Sequence, residues 1–369
     1  MSLLDLEATQ TISVQVTNNV VSGNTASSPD ESGGAGGLAL EVYSRRSVAP
    51  GATFVVEENT IRGNTAELDG GGAEIYLTAE SENLNDPNDT RIAPAFATLD
   101  FRNNLIVLNS STNASFQDGV GGGILAFLQS FGGEPGPGGD DSKATINFEL
   151  NTVADNSSDT ASGGIELESY TGFDSGGSEG LAEFNVNSSI VSDNTGFGLG
   201  GPGATDSGVF TPGVGGDPPH TNNFLIDVAY SDVFANDVNY EAASIGDRTG
   251  IQENISADPL LDSVTYVPQI CSPTLDGADP LLDFSLEPDP DGGRANMGHT
   301  GGTSLAAASL ADPNGDNIVD GIDVLRIAVA FGSMFGQPRW DETADLDGSG
   351  LVDGTDLAFL AAGFGDVCP

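Results

Sequence analysis

Two acidic twelve-residue loops near the C-terminus carry the side chains whose types and spacing most clearly predict chemistry. The first reads DPNGDNIVDGID and the second DLDGSGLVDGTD. Oxygen-bearing side chains occupy positions 1, 3, 5, 9 and 12 of both loops: Asp312, Asn314, Asp316, Asp320 and Asp323 in one, and Asp345, Asp347, Ser349, Asp353 and Asp356 in the other. Alternate positions of a tight loop aim side chains at one point, which is the arrangement that a hard cation requires.

The loop backbones complete this predicted set of oxygen donors. Position 7 adds a main-chain carbonyl from Ile318 or Leu351. Position 6 needs a residue that tolerates a positive φ, and Asn317 and Gly350 both do. An apolar helical stretch, VLRIAVAF or LAFLAAGF, follows each loop. We therefore expect two bound Ca²⁺ ions in this region.

The paired loops resemble the dockerin module, a calcium-stabilised plug that docks into a cohesin in some secreted polysaccharide-degrading systems. Asp rather than Glu at position 12 is typical of dockerin loops. The resemblance covers residues 306–369 and implies a small all-α, double EF-hand-like domain. It also implies partner-binding residues at positions 10 and 11, which are Gly321, Ile322, Gly354 and Thr355. Dockerin-like pairs also end large surface proteins without a known cohesin, so a cell-surface partner is the alternative.

The charge balance restricts the partners of the chain. Its 369 residues include 55 Asp and Glu against 10 Lys and Arg, giving a formal net charge of -45. Nucleic acid and anionic membrane surfaces are therefore poor partners, and no apolar run predicts a membrane span. This excess suits calcium-rich surroundings and predicts a secreted or surface-exposed bacterial protein, cut from a longer exported precursor. Cys271 and Cys368 are either bridged or two ordinary thiols.

A repeat anchored on asparagine precedes the loops. Its six copies end at Asn24, Asn64, Asn109, Asn156, Asn194 and Asn236. Val or Ile stands three residues before each asparagine, and apolar residues stand ten and eight residues before it in every copy. This period-two alternation predicts a strand with one buried face. Several copies continue through a glycine pair into a second alternating strand, as in GGLALEV.

Repeated strands without intervening helices predict coils that stack on one another. The repeat resembles the right-handed parallel β-helix of the pectate-lyase-like group. This resemblance implies an all-β solenoid over residues 8–254 in which the asparagines form a ladder. A closing segment and linker would occupy residues 255–305, before the module at 306–369.

The outward positions of the first strands supply a candidate catalytic group. Adjacent coils would place Arg102 between Glu57 and Glu149, with Asp100 alongside. Two carboxylates at this spacing could hydrolyse a glycosidic bond. The resemblance also implies β-elimination of a uronate by calcium and arginine. Interleaved Glu and Arg could instead form a solvated ion-pair ladder.

The second alternating strands present another outward face. It includes Glu41, Glu74, Tyr76, Leu125, Phe127, Glu166 and Glu168. The aromatic side chains could stack on sugar rings or be packed under loops.

These patterns together predict a secreted, calcium-binding β-helix protein that binds or degrades polysaccharide. Its dockerin-like module would attach it to a cohesin or a surface assembly. The alternative is a non-catalytic surface or adhesion protein in which the β-helix acts as a spacer. Whether the protein is an enzyme, and which glycan it meets, stay open at this point.

Overall fold

The computed structural model describes residues 13–27, 34–45, 52–80, 95–112, 121–132, 142–173, 180–201, 224–242 and 245–368. The chain divides into two compact units, Met1–Ser256 and Ala257–Pro369. Residues 8–12, where the predicted solenoid begins, and Pro369 lie outside the described residues.

The first unit is a parallel β-solenoid whose strands form three sheets. The first sheet contains β1 (Ser13–Thr17), β5 (Ala52–Glu57), β9 (Phe96–Arg102), β13 (Lys143–Glu149), β16 (Leu181–Asn187) and β19 (Phe224–Ala229). The second contains β2 (Val20–Ser22), β6 (Thr60–Arg62), β10 (Leu105–Val107), β14 (Thr152–Ala154), β17 (Ile190–Ser192) and β20 (Asp232–Phe234). The third contains β3 (Thr25–Ala26), β4 (Leu38–Arg45), β7 (Thr65–Ala66), β8 (Ala73–Glu80), β11 (Ser110–Ser111), β12 (Ile124–Gly132), β15 (Ser157–Phe173), β18 (Thr195–Gly200) and β21 (Val238–Tyr240). The predicted all-β parallel solenoid is confirmed at this level.

Alternating side chains of the first sheet build the core. Its inward residues are buried in the central coils, as are the Val and Ile residues that stand three positions before each repeat asparagine from the second copy onward. The rings of Phe101, Phe148 and Phe184 stack between successive coils, with centroids 5.4 and 6.0 Å apart. Removal of this continuous apolar surface from water is the main driving force for stacking the coils.

The predicted asparagine ladder lies at the turn between the second and third sheets. From Asn64 onward, each amide oxygen accepts two hydrogen bonds from the asparagine of the preceding coil, one from its backbone N–H and one from its side-chain Nδ2. Asn64, for example, donates both bonds to Oδ1 of Asn109, at 3.0 Å each. Asn109 donates to Asn156 in the same way, at 2.9 Å each. We call this column the downstream ladder; it satisfies buried turn groups that no strand can pair.

A second column, the upstream ladder, lies at the turn between the first and second sheets. Asn19, Asn59, Asn104 and Asn151 repeat the same pattern of bonds. Ser189 and Ser231 continue it through their hydroxyl groups. A residue with positive φ precedes each member of both ladders, including bulky ones such as Leu150 at 52°. This conformation is costly for a non-glycine residue, so the bonds of the ladder have to offset it.

A column of glycines lets the coils approach where the third sheet begins. A Cβ atom on Gly72 would lie 2.5 Å from the carbonyl oxygen of Gly123, and one on Gly123 would lie 2.6 Å from that of Gly164. Real Cβ atoms essentially never come this close to another atom. The glycine pairs therefore mark close backbone contact between coils rather than flexible turns.

The second unit contains the helices α1 (Gly321–Ala330) and α2 (Gly354–Ala362) and a short 3-10 helix, Glu342–Ala344. Two isolated antiparallel bridges join Ile318 to Val367 and Met334 to Leu351. The bridged residues repeat with an offset of 33 residues, because Leu351 corresponds to Ile318 and Val367 corresponds to Met334. Val319, Ile327, Val352 and Leu360 belong to the small core between them. Cys271 and Cys368 form a disulfide within this unit.

Glu287 is the most unusual buried charge of the second unit. It is 7% exposed, and its Oε1 accepts the backbone N–H groups of Asn296 and Gly302 at 2.9 and 2.6 Å. Its Oε2 is buried and has no hydrogen-bond partner among the described residues. Burial raises the pKa of Glu287 to about 7, with the charges of Asp276 and Asp291 adding to the effect and the two N–H donors opposing it.

We predict that Glu287 makes the second unit less stable as the pH rises. A folded-state pKa above the unfolded value gives a contribution that is complete below about pH 4.3 and lost as the pH rises through about 7. Between about pH 4.5 and 8, the free energy of unfolding should fall by about 2–3 kcal/mol less in Glu287→Gln than in wild type. Denaturant unfolding of the intact protein at both pH values measures it. The exposed Glu342→Gln is the control, and equal pH dependence in wild type and Glu287→Gln would contradict the prediction.

We also predict that the centre of the downstream ladder contributes more to stability than its end. Asn109→Ala removes the two bonds that the amide oxygen accepts from Asn64 and the bonds that Nδ2 donates to Asn156 and to the carbonyl oxygen of Ile61, in a buried site. We expect a loss of about 3 kcal/mol in the free energy of unfolding. Asn24→Ala, at the exposed end of the ladder, should cost less than about 1 kcal/mol. Urea unfolding followed by circular dichroism compares them, and similar losses would argue against the ladder as the source.

Candidate functional site

The structure brings the predicted catalytic residues together on the outward side of the first sheet. Glu57, Arg102 and Glu149 stand in direct register on β5, β9 and β13. Asp100 lies on the same face of β9, beside Asn147 of β13. We call the outward surface of these strands and β16 the first-sheet face. It contains a shallow depression of about 270 Å³, lined by Asp100, Arg102, Asn147, Phe148, Glu149, Asn185 and Asn187.

Two sets of polar contacts organise the first-sheet face. The Arg102 guanidinium donates to Glu57 Oε2 at 2.9 Å, and the two side chains are 47% and 26% exposed. In the neighbouring row, Asn147 donates to Asp100 Oδ1 at 2.8 Å and Asn185 donates to Asn147 Oδ1 at 3.1 Å. The row is therefore a chain of amide and carboxylate groups that runs across three coils.

This arrangement is better suited to binding than to acid–base cleavage. Glu57 and Glu149 lie on the strands either side of β9. Their backbones are therefore two strand spacings apart across the sheet, about 9.6 Å, which is at the upper limit of the separations at which carboxylate pairs cleave glycosides. The oxygens of Glu57 and Asp100 already accept hydrogen bonds. Amide, carboxylate and guanidinium groups with remaining exposure can bind hydroxyl groups.

Sequence reasoning did not include Asn185 and Asn187 in the candidate site. Both line the depression. Their outward position on the fifth copy of the repeat followed from the alternation, but only charged residues were selected as candidates. An asparagine at the same register position as a candidate acidic residue is therefore a sequence signal for a further residue of the site.

The two acidic loops adopt matching local structures in the second unit. Asp312 Oδ2 accepts the N–H of Asn317 at 2.7 Å, and Asp345 Oδ2 accepts that of Gly350 at 2.7 Å. Asn317 and Gly350 both have positive φ, 67° and 79°, as predicted for position 6. Ile318 and Leu351, whose carbonyl oxygens are the predicted ligands at position 7, each form an antiparallel bridge, to Val367 and to Met334 respectively.

Positions 9 and 12 of both loops also cap the helices that follow. Asp320 caps α1 and Asp353 caps α2, and each is joined to its own position 12 residue, Asp323 or Asp356, in a reciprocal capping box. The position 12 carboxylates are fully buried. Each loop is therefore coupled directly to the start of its helix.

The second loop fits a cation most closely. Ligand oxygens of Asp345, Asp347 and Asp356 lie within 4.8 Å of one another, the one such acidic group among the described residues. Burial raises the pKa of Asp345, and the nearby charges of Asp356 and Asp347 add to the effect while the Gly350 N–H opposes it. Three other predicted ligand residues, Asn314 and Asp316 in the first loop and Ser349 in the second, accept hydrogen bonds from the backbone N–H groups two residues later. An all-oxygen donor set of this kind matches the preference of Ca²⁺.

The predicted partner-binding residues begin the two helices. Gly321, Ile322, Gly354 and Thr355 are all exposed. Ile322 continues into a stripe with Leu325 and Val329 at helical spacing, and the three are 57%, 62% and 62% exposed. An apolar stripe on a polar module is typical of an interaction surface.

No protein-family model, curated protein or solved structure matches this chain. In the described part of the chain, no helix has the length and apolar character needed to cross a membrane.

We predict that calcium binds the second unit and increases its helical content. Without a cation, the carboxylates of Asp345, Asp347 and Asp356 repel one another, so chelation should weaken the far-ultraviolet circular dichroism of α1 and α2. Calorimetric titration of the intact protein should detect two Ca²⁺ ions. Asp356→Asn should lose one, whereas the exposed Glu342→Gln should keep both. An absence of binding heat would show that these loops are capped turns only, and an unchanged stoichiometry in Asp356→Asn would show that the second loop does not hold an ion through Asp356.

Proposed function

We propose that this chain is a secreted carbohydrate-binding protein whose first-sheet face contacts a polysaccharide. The observation that carries this proposal is the hydrogen-bonded row Asp100–Asn147–Asn185 beside the exposed Arg102. Its groups repeat at the coil spacing of about 4.8 Å, so an extended chain could meet the same kind of group on successive coils. Polysaccharide binding is also what the resemblance of the repeat to the β-helix of the pectate-lyase-like group implies.

In the same proposal, the second unit is a calcium-binding attachment module of the dockerin-like type. Support comes from the matched loops, the buried position 12 carboxylates and the acidic group around Asp356. The exposed stripe of Ile322, Leu325 and Val329 favours a protein partner, either a cohesin or a component of a cell surface. A native-gel shift with a purified cohesin domain, abolished by Leu325→Asp, tests the docking step.

Binding at the first-sheet face can be measured by affinity gel electrophoresis in neutral and acidic polysaccharides with calcium present. Arg102→Ala should weaken binding about three- to tenfold, because it removes exposed guanidinium donors from the depression. Lys143→Ala is a matched control, since Lys143 forms the comparable ion pair with Glu183 on the same sheet, at 2.6 Å.

The same mixtures distinguish binding from cleavage. New reducing ends that disappear in Glu149→Gln would identify a hydrolase or lyase. Retardation without new ends would identify a binding protein. No retardation in any polysaccharide, or equal retardation of wild type and Arg102→Ala, would reject the proposed face in favour of a non-catalytic spacer.

A further inference from the structure

The outward side of the third sheet carries a second organised surface, on which the proposed function does not draw. Its first row reads Glu41, Tyr76, Phe127 and Glu168 on the register-paired strands β4, β8, β12 and β15. The adjacent row reads Glu74, Leu125 and Glu166 on β8, β12 and β15. We call these seven side chains the third-sheet face.

An aromatic pair occupies the middle of the third-sheet face. The rings of Tyr76 and Phe127 lie 5.4 Å apart at 52°. Tyr76 is 37% exposed and Phe127 is half-buried, while Leu125 of the next row is buried. The pair therefore presents part of its ring surface to solvent although the neighbouring apolar residue is covered.

Carboxylates border this pair on both rows. Glu74 accepts the N–H of Ala35 at 3.0 Å and hydrogen-bonds to Tyr76. Glu166 accepts the hydroxyl of Ser162. Glu41 and Glu168 close the two ends of the first row. Neither row contains a Lys or Arg residue.

Burial favours the protonated forms of the acidic groups on this face. Burial raises the pKa of Glu166 to about 8, with the charges of Glu168 and Glu241 adding to the effect and the Ser162 hydroxyl opposing it. Burial likewise raises the pKa of Glu74 and of Tyr76. A cation bound beside these carboxyl groups would favour their charged forms and so offset the cost of burying them.

We propose that the third-sheet face binds an oligosaccharide bearing amino groups. Ammonium groups are attracted both to aromatic ring faces and to carboxylates, and this face supplies the two side by side. Tyr76 and Phe127 would contact the sugar ring and its ammonium group, and Glu41 and Glu168, at the two ends of the first row, would accept its hydrogen bonds. A uronate polymer would be repelled.

The backbone of this sheet favours a saccharide over a peptide. Strand β12 is hydrogen-bonded to β8 on one side and to β15 on the other, and β8 is bonded to β4 and β12. No strand edge is therefore free at the aromatic pair for an added peptide strand, and recognition has to use side chains alone. Rigid sugar rings lose less conformational entropy on such a surface than a flexible lysine-rich segment does.

The test is calorimetric titration of the intact protein at low salt with three probes: a glucosamine hexamer, an N-acetylglucosamine hexamer and a galacturonate hexamer. The glucosamine hexamer should bind about tenfold more tightly than the acetylated one, and its affinity should fall as salt is added. Tyr76→Leu should weaken binding about fivefold, whereas Tyr76→Phe, which keeps the ring, should bind within about twofold of wild type. Glu168→Gln should weaken binding.

Matched controls separate this surface from the rest of the protein. Phe234→Leu alters a half-buried aromatic of the second sheet, and Glu183→Gln removes a carboxylate from the first sheet; both should bind as wild type does. Weakening in Tyr76→Leu but not in these controls would place the ligand on the third-sheet face whether or not the first-sheet face binds a polysaccharide.

Several outcomes would overturn the inference. These are equal or tighter binding of the acetylated hexamer, no binding of the glucosamine hexamer, or equal weakening by Tyr76→Leu and Phe234→Leu. A lysine hexamer that binds as tightly as the glucosamine hexamer, and is equally weakened in Tyr76→Leu, would replace the saccharide with a basic peptide.

Discussion

The solenoid depends on one interaction, the hydrogen bond that the side-chain oxygen of a ladder asparagine accepts from the turn of the preceding coil. Each central ladder asparagine satisfies two donors of the preceding coil through its oxygen and donates its own Nδ2 to a backbone carbonyl and to the next asparagine. Without these bonds the turns would bury unpaired backbone groups and would hold residues such as Leu150 at positive φ without compensation. The ladders thus fix where each coil turns, and the strands on either side follow.

Fixed turns give fixed register, and register gives the two outward faces their different chemistry. The inward apolar residues of the first strand stand ten and eight residues before the ladder asparagine in every copy, so residues at equal offsets meet across coils. On the first sheet this brings amides, carboxylates and Arg102 together. On the third-sheet face it brings two aromatic rings together with carboxylates. One repeat therefore presents two outward surfaces of different chemistry.

Much of the solenoid was predictable because its period-two alternation and its asparagines are visible in the sequence. The upstream ladder was missed because Ser189 and Ser231 replace asparagine and interrupt the pattern; hydroxyl groups make the same kind of bond. The outward position of Arg102 followed from alternation, but its pairing with Glu57 rather than Glu149 depends on side-chain conformation. Glu287 lies in a segment without periodicity, so no pattern predicted its burial. The cysteine pairing stayed open because sequence separation does not determine distance.

The disulfide has a mechanical consequence. Cys271 and Cys368 enclose nearly the whole acidic module in one covalent loop. Tension applied between the two ends of the chain would pass from one sulfur to the other and would bypass the enclosed residues. The helices and the two acidic loops could then unfold and refold without lengthening the chain. A load could therefore be borne by the protein while its acidic module remains free to respond to the composition of the surrounding fluid.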